Sequence, residues 1–232
     1  MSTILAIETS GKYCSVALIH EGLAEFSRVD DTEMNHARAI GPYVDECVKE
    51  AQRREWTIDA VAVSMGPGSY TGLRIGLSIA KGLCFSLNIP LIGISTLKLI
   101  AVKAMFRNID WHGDEILVPM IDARRMEVYT AAYDFCLDEL MKSQPLILEE
   151  NSFVKLPSDR DVYFMGDGAA KSKDILKGVR FHWLDGVNPK ASDMTALAEK
   201  AFREKDFLDV AYSVPEYLKE YEARKSAVKG LS

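Results

Sequence analysis

The sequence predicts a two-lobed α/β protein, and three observations support this. The chain has 232 residues, more than the roughly 100 to 200 that one domain usually fills. A run of three short apolar segments followed by alternating helical and strand-like segments occurs twice along it. Its composition, 48% hydrophobic and 27% charged with no long polar or Pro/Gly-rich tract, allows packed cores throughout.

Residues 3–7, 13–19 and 23–29 are apolar or alternating runs separated by Thr9-Ser10-Gly11-Lys12 and by Glu21-Gly22, the pattern of three antiparallel strands. From residue 33 to 53 the periodicity becomes helical, with Thr32 as the expected N-cap, acidic residues early, and Pro42 expected to bend or reset the helix. A strand at 59–64, a glycine loop, a helix at 72–87, a strand at 91–94 and a helix at 96–106 complete the order βββαβαβα.

After the polar stretch 107–114 the order restarts. Strands are expected at 115–121, 127–135 and 144–149, then a short helix near Ser152, a strand at 162–165, a helix at 169–177, a strand at 180–184 and a helix at 194–204. The topology repeats although the sequence does not. Two such units, the second reduced, amount to duplicated ribonuclease-H-like lobes, the α/β architecture of actin-like ATPases (the ASKHA fold) and sugar kinases. The expected division is 1–106 and 107–232, with the C-terminal segment a candidate to pack back on the first lobe.

Composition narrows function. A net charge of −6 argues against a stand-alone nucleic-acid binder, which needs clustered Lys and Arg to displace counterions. Cys14, Cys47, Cys84 and Cys136 lie far apart without a CxxC pair, so each is expected to be a small buried apolar residue. The first apolar stretch, 4–7, ends at Glu8 and lacks a basic flank, and no apolar run reaches membrane length, so a cytoplasmic location is expected.

The densest motif is Met65-Gly66-Pro67-Gly68-Ser69-Tyr70-Thr71-Gly72-Leu73-Arg74-Ile75-Gly76, between a strand and a helix. It lacks the Gly-Lys-Ser/Thr end of a Walker loop, and Gly72 falls one residue late for a dinucleotide fingerprint. Tight-turn packing and anion binding both remain open. In the helix that follows, Leu73, Leu77, Ala80, Cys84 and Leu87 line one face and Ile75, Ile79 and Leu83 another, more than one sheet can cover. Gly72, Gly76 and Gly82 would let a neighbouring backbone approach. On the preceding helix His36, Ile40, Tyr43, Val44, Cys47 and Val48 form a second apolar stripe, so the two helices offer a patch for another subunit, with a deeply buried core helix as the alternative.

The turn Glu8-Thr9-Ser10-Gly11-Lys12 stands where actin-like ATPases place an acid and a small-residue loop around Mg²⁺ and phosphates, but Glu is one methylene longer than Asp and Mg²⁺ demands tight octahedral geometry. Thr9, Ser10, Gly11, Asp122 and Arg124 are candidate nucleotide or cleft contacts. Gly166-Asp167-Gly168 marks the equivalent turn of the second lobe, where a plain strand-to-helix turn explains the glycines equally well. His20, His36, His112 and His182 have no i,i+4 partner among themselves, so a helical two-histidine metal site is not expected.

The run 65–76, the Asp122-Ala123-Arg124 turn and Pro215-Glu216-Tyr217-Leu218-Lys219 closely resemble motifs of the TsaB (YeaZ) family, and the likeness spans nearly the whole chain. That family is similar in fold to the actin-like ATPases and related to TsaD, which transfers a threonylcarbamoyl group to the adenosine beside the tRNA anticodon. The resemblance places Thr96 and Ile100 at the two positions where TsaD carries a metal-binding His-x-x-x-His pair, and Ile100 cannot ligate. Glu8 in place of the usual Asp, and Tyr70 in place of Phe, depart from the family pattern.

What the resemblance implies is a non-catalytic partner of TsaD within an assembly that includes a TsaE-type ATPase. It implies pairing through the first-lobe helices, as a homodimer when alone, with no catalytic or metal-binding residue and no intrinsic cofactor. ATP or ADP would bind only in the assembled complex, and tRNA only indirectly. The alternatives are an active ATP-dependent phosphotransferase of the same fold or a metalloprotease.

Overall fold

The computed structural model describes residues 2–30, 32, 36–107 and 109–219, the His36 side chain lying outside that set. Strands β1 (Thr3–Glu8), β2 (Cys14–His20) and β3 (Leu23–Asp30) form an antiparallel meander. Glu21 and Gly22 turn the second hairpin with positive φ at both positions. Helix α1 (His36–Arg53) runs through Pro42 without a break, so the expected reset does not occur. Pro42 lies on the exposed face in the second turn, where only one ladder hydrogen bond is lost. Thr32 donates its N–H and hydroxyl to the Asp30 carboxylate. The expected helix start at 33–35 lies outside the described residues.

Strand β4 (Ala60–Gly66), helix α2 (Tyr70–Leu87), strand β5 (Leu91–Ser95) and helix α3 (Thr96–Met105) complete the first lobe. Ser69 and Ser95 cap α2 and α3 by accepting the N–H groups of Gly72 and Lys98, which satisfies donors the helices leave orphaned. The sheet order is β3-β2-β1-β4-β5, with β4 parallel to both β1 and β5.

The second sheet, β6 (Ile116–Asp122), β7 (Glu127–Tyr133), β8 (Glu139–Ile147), β9 (Val162–Met165) and β10 (Phe181–Leu184), has the order β10-β9-β6-β7-β8. Renumbered from its own first strand, this is the order of the first sheet. Its helices differ from expectation. Near Ser152 there are only turns, and of the helix expected at 169–177 only a 3-10 turn at Ala170–Ser172 forms. The Ser172 hydroxyl donates to the Ala169 carbonyl and accepts from the Trp183 indole, so side-chain bonds compete with the helical ladder there. Strand β8 also begins earlier than expected, at Glu139.

The inner strands of each sheet are buried on both faces, which explains the continuous apolar runs of β1, β2, β4 and β6. On β1, Leu5 and Ile7 face α1 and α2, while Ile4 and Ala6 face α3 and the segment Ala191, Met194 and Ala198. That segment carries α4 (Thr195–Glu204). The helix expected to complete the second lobe therefore packs on the first sheet. Helix α3 is sandwiched between the sheets: Leu99 joins the first core, whereas Leu97, Ile100 and Ala104 pack with Leu117, Ile121 and Tyr133 of the second. A helix apolar on all sides is what such a position requires.

From residue 207 the chain runs back along the first lobe. The Leu208 N–H donates to the Leu91 carbonyl and the Glu216 N–H to that of Met65. The Tyr217 ring sits 5.0 Å from Tyr70, and the Lys219 ammonium reaches Glu127 of the second lobe at 2.6 Å. Among the described residues no helix is long and apolar enough to cross a membrane.

Candidate functional site

The carboxyl ends of β1, β4, β6 and β9 meet at a cleft between the lobes. At its floor Glu8 is buried, one carboxylate oxygen accepting both the N–H and the hydroxyl of Ser10, while Oε2 has no hydrogen-bond partner. Burial pushes its pKa up to about 6, with the Ser10 hydrogen bonds, and the nearby Ser64 hydroxyl, working against that rise.

The glycine loop packs over this turn. The Ser69 N–H donates to the Ser10 carbonyl, and a Cβ at Gly68 would lie 2.6 Å from the same oxygen. A Cβ at Gly72 would stand 2.1 Å from the Thr9 carbonyl, and one at Gly76 would stand 2.3 Å from Thr9 Oγ1. Of the two readings the sequence left open, tight packing accounts for these glycines, because the loop spends its close approach on the chain's own backbone rather than on an anion. Gly82 meets nothing within 4 Å.

Ser10, Gly11, Lys12, Tyr13, Thr96, Ile100, Ile121, Asp167, Asn188 and Pro189 enclose a cavity of about 30 Å³, little more than room for a water against the several hundred of a usual ligand pocket. The Thr96 hydroxyl is buried without a partner. Mg²⁺-nucleotide does not fit here, since the space holds no phosphate chain. Among the described residues no group of three His, Cys, Asp or Glu side chains is placed to hold a metal. Of the candidate cleft contacts, Ser10 and Gly11 line the cavity, and Thr9 lies beneath it against Gly76. Asp122 and Arg124 do not line it: the Asp122 N–H donates to Asp167 of the lining, and the Arg124 N–H donates to Asp122. Asn188 and Pro189 were missed; their only signal is a turn-forming Asn-Pro pair.

On the rim the β6–β7 connection is unusual. Arg124 and Arg125 both have positive φ, 70° and 52°, a left-handed conformation that costs a non-glycine residue about 1 kcal/mol or more. Lys171 holds it from below, its ammonium donating to the Asp122 carboxylate and to the Arg125 and Glu127 carbonyls. Partial burial opposes ionisation of Asp122, but Lys171 and the Arg124 N–H outweigh it and hold its carboxyl below the usual range. The ion pair at this turn thus joins Asp122 to Lys171, which nothing in the sequence pattern marks. Desolvation, together with the Asp122 carboxylate, raises Asp167.

The two-helix patch needs correction. Ile40, Val44, Cys47, Leu73 and Ala80 are turned into the first core, and Gly72 and Gly76 are buried against Thr9. None of these offers a side chain to a partner, because the sheet and the facing helix already cover that face. Tyr43, Ile75, Ile79 and Leu83 are half-buried at the edge of the same core, and the His36 side chain lies outside the described residues. Tyr70, Thr71, Arg74, Ile75, Ser78 and Ile79 line a shallow groove along α2. Beyond it Phe85 and Leu87 are 85% and 48% exposed, so Leu87 departs from its expected buried face.

The expectation for the cysteines holds at three of the four. Cys14, Cys47 and Cys84 are buried, with burial pushing their thiols up to about 11, 12 and 11, but Cys136 is exposed rather than buried. The Trp56 ring stacks on His20 at 3.8 Å and lies under Arg54, so its faces are used within the chain.

Comparison with known proteins agrees with this geometry. The family described as "TsaD: tRNA N6-adenosine threonylcarbamoyltransferase" matches residues 30–230. The "tRNA threonylcarbamoyladenosine biosynthesis protein TsaB" of Bacillus subtilis is 31% identical over 229 residues, covering 95% of this chain and 96% of that protein. Its Escherichia coli namesake is 31% identical over 227 residues, covering 93% and 94%. The solved structure "YeaZ from Pseudomonas aeruginosa" superposes with a TM-score of 0.78 at 30% identity, covering 94% of this chain and all of that one. With a two-lobed actin-like fold and relatives matched over nearly their whole length, the chain belongs to the TsaB (YeaZ) family.

Proposed function

We propose that this chain is a non-catalytic subunit that docks on the threonylcarbamoyl-transferase TsaD in tRNA threonylcarbamoyladenosine biosynthesis. The observation that carries the reading is the cleft. The positions that the resemblance equates with the metal-binding imidazoles of TsaD are Thr96 and Ile100, side by side in the wall of a cavity of about 30 Å³. Neither supplies a nitrogen ligand, and the space admits no nucleotide. The fold's scaffold stands without the chemistry of the catalytic relative.

The docking surface in this reading is the groove along α2 lined by Tyr70, Arg74, Ile75 and Ile79, continued by the half-buried Leu83 one turn further on. Free in the cytoplasm the chain pairs with itself through this face, and in the assembly it pairs with TsaD, a TsaE-type ATPase joining them. Nucleotide belongs to the assembled complex.

The test is reconstitution of tRNA modification from purified subunits, with Ile79→Glu as the interface variant, since an unpaired charge in an apolar contact is strongly unfavourable. The expected result is modification that depends on this chain and loss of TsaD binding in the variant, whose circular dichroism stays unchanged. Full modification without this chain would sink the proposal. So would micromolar Mg²⁺-ATP binding with turnover by the isolated chain, or a stoichiometric metal in elemental analysis.

A further inference from the structure

We infer that the Arg124–Arg125 turn is a built phosphate contact, taking successive phosphodiesters of an RNA strand that lies across the rim of the inter-lobe cleft. The inference rests on the assembly proposed above and adds a direct RNA contact to it.

Two adjacent arginines are both held at positive φ at the tip of an exposed connection, a conformation that glycine or asparagine adopts more readily. The chain nevertheless maintains it, through Lys171 bonded to the Arg125 and Glu127 carbonyls and through the Arg124 N–H on Asp122. Strain that is held in this way marks positions where the side chain has a use. Neither guanidinium has a hydrogen-bond partner among the described residues, while the carboxylate nearest them, Asp122, is occupied by Lys171.

Position and size decide what the pair meets. The turn lies outside the carboxyl ends of the parallel strands β6 and β9, where open α/β sheets bind their ligands. The adjoining cavity, about 30 Å³, is too small to enclose a free nucleotide. What remains is a ligand that passes over the rim and presents more than one phosphate, and a guanidinium fork matches each phosphate with two parallel hydrogen bonds. With a net charge of −6 the chain does not hold RNA by itself, so the contact acts once a partner supplies the remaining affinity.

The experiment measures binding of an unmodified tRNA transcript to the complex of this chain with TsaD across a salt series. It compares the wild type with Arg124→Gly/Arg125→Gly, Arg124→Lys/Arg125→Lys and the control Arg203→Gln. The double glycine variant is expected to bind about tenfold more weakly and to flatten the log–log salt slope by about 1.5, near 0.7 to 0.9 per lost phosphate contact. Its melting temperature should rise by about 2 °C as strain is relieved. The lysine variant should keep the slope, and Arg203→Gln should change nothing.

An unchanged slope in the glycine variant, or a slope lost only together with a fall in melting temperature, overturns the inference. Loss of ADP binding with tRNA held as before overturns the assignment to RNA. If the wild-type chain does not join TsaD at all, the assembly reading fails first and this contact with it.

Discussion

The two lobes share one sheet topology and differ in what covers it. The first sheet carries two helices of 18 residues each on one face; the second, in the same strand order, carries turns and a three-residue 3-10 segment. Strand order is held by backbone pairing between long-range partners, whereas a covering helix is needed only where its outer face has a use. Both lobes keep a positive-φ glycine at the equivalent strand end, Gly66 after β4 and Gly166 after β9. At the first the crowding atom is the Glu216 carbonyl of the returning C-terminal segment, 2.7 Å from a Cβ; at the second it is the Met120 carbonyl of the lobe's own sheet, at 2.3 Å. A shared turn is thus braced by the exposed returning segment in one lobe and by the lobe's own sheet in the other.

The largest effect is expected where the first lobe's helix meets its sheet. Gly72→Ala drives a Cβ to 2.1 Å from the Thr9 carbonyl and should cost about 3 to 5 kcal/mol in urea unfolding. The lobes should separate at the paired glycines: Gly166→Ala costs about 3 kcal/mol, whereas Gly66→Ala costs about half that, because its crowding carbonyl belongs to an exposed surface segment rather than to a sheet strand. Equal losses would contradict the comparison.

Glu8, buried at the end of β1 where the corresponding acid at the end of β6, Asp122, is exposed, predicts a pH effect. Its folded pKa, about 6, lies above the ordinary value of 4.5, so between those values the folded state binds the extra proton and stability falls as pH rises. The loss is about 2 kcal/mol and is complete above pH 6. Unfolding at pH 4.5 and 7 should show this loss in the wild type, and Glu8→Gln should remove it from the pH dependence. The smallest effect belongs to the outer face of α2. Phe85→Ser, at a side chain 85% exposed, should move stability by less than about 0.5 kcal/mol, and a larger change would mean that the residue supports the fold.

Much of the fold was legible because β1 and β2 are short apolar runs and β3 alternates, with turn-forming residues between them, and because β4, α2 and β5 are bounded by Gly, Ser and Asn with clear stereochemical roles. The second lobe's helices were misread because residues 169–177 have a plausible helical pattern, yet Ser172 finds better partners in Ala169 and Trp183. The site was half legible. The turn at Ser10 and Gly11 was found, but the apolar faces of α1 and α2 were assigned to a partner when most of them serve the chain's own sheet.

Local composition and periodicity by themselves determined the two-lobe order and the placement of most strands, while the family resemblance, not periodicity, marked Thr96 and Ile100 as lacking an imidazole pair. Only the tertiary structure decided that α4 belongs to the first sheet, that the glycines of α2 accommodate Thr9, and that Lys171 holds two arginines in a left-handed turn. Those facts depend on contacts between residues far apart in sequence, and periodicity records which side of an element is apolar without recording what lies against it.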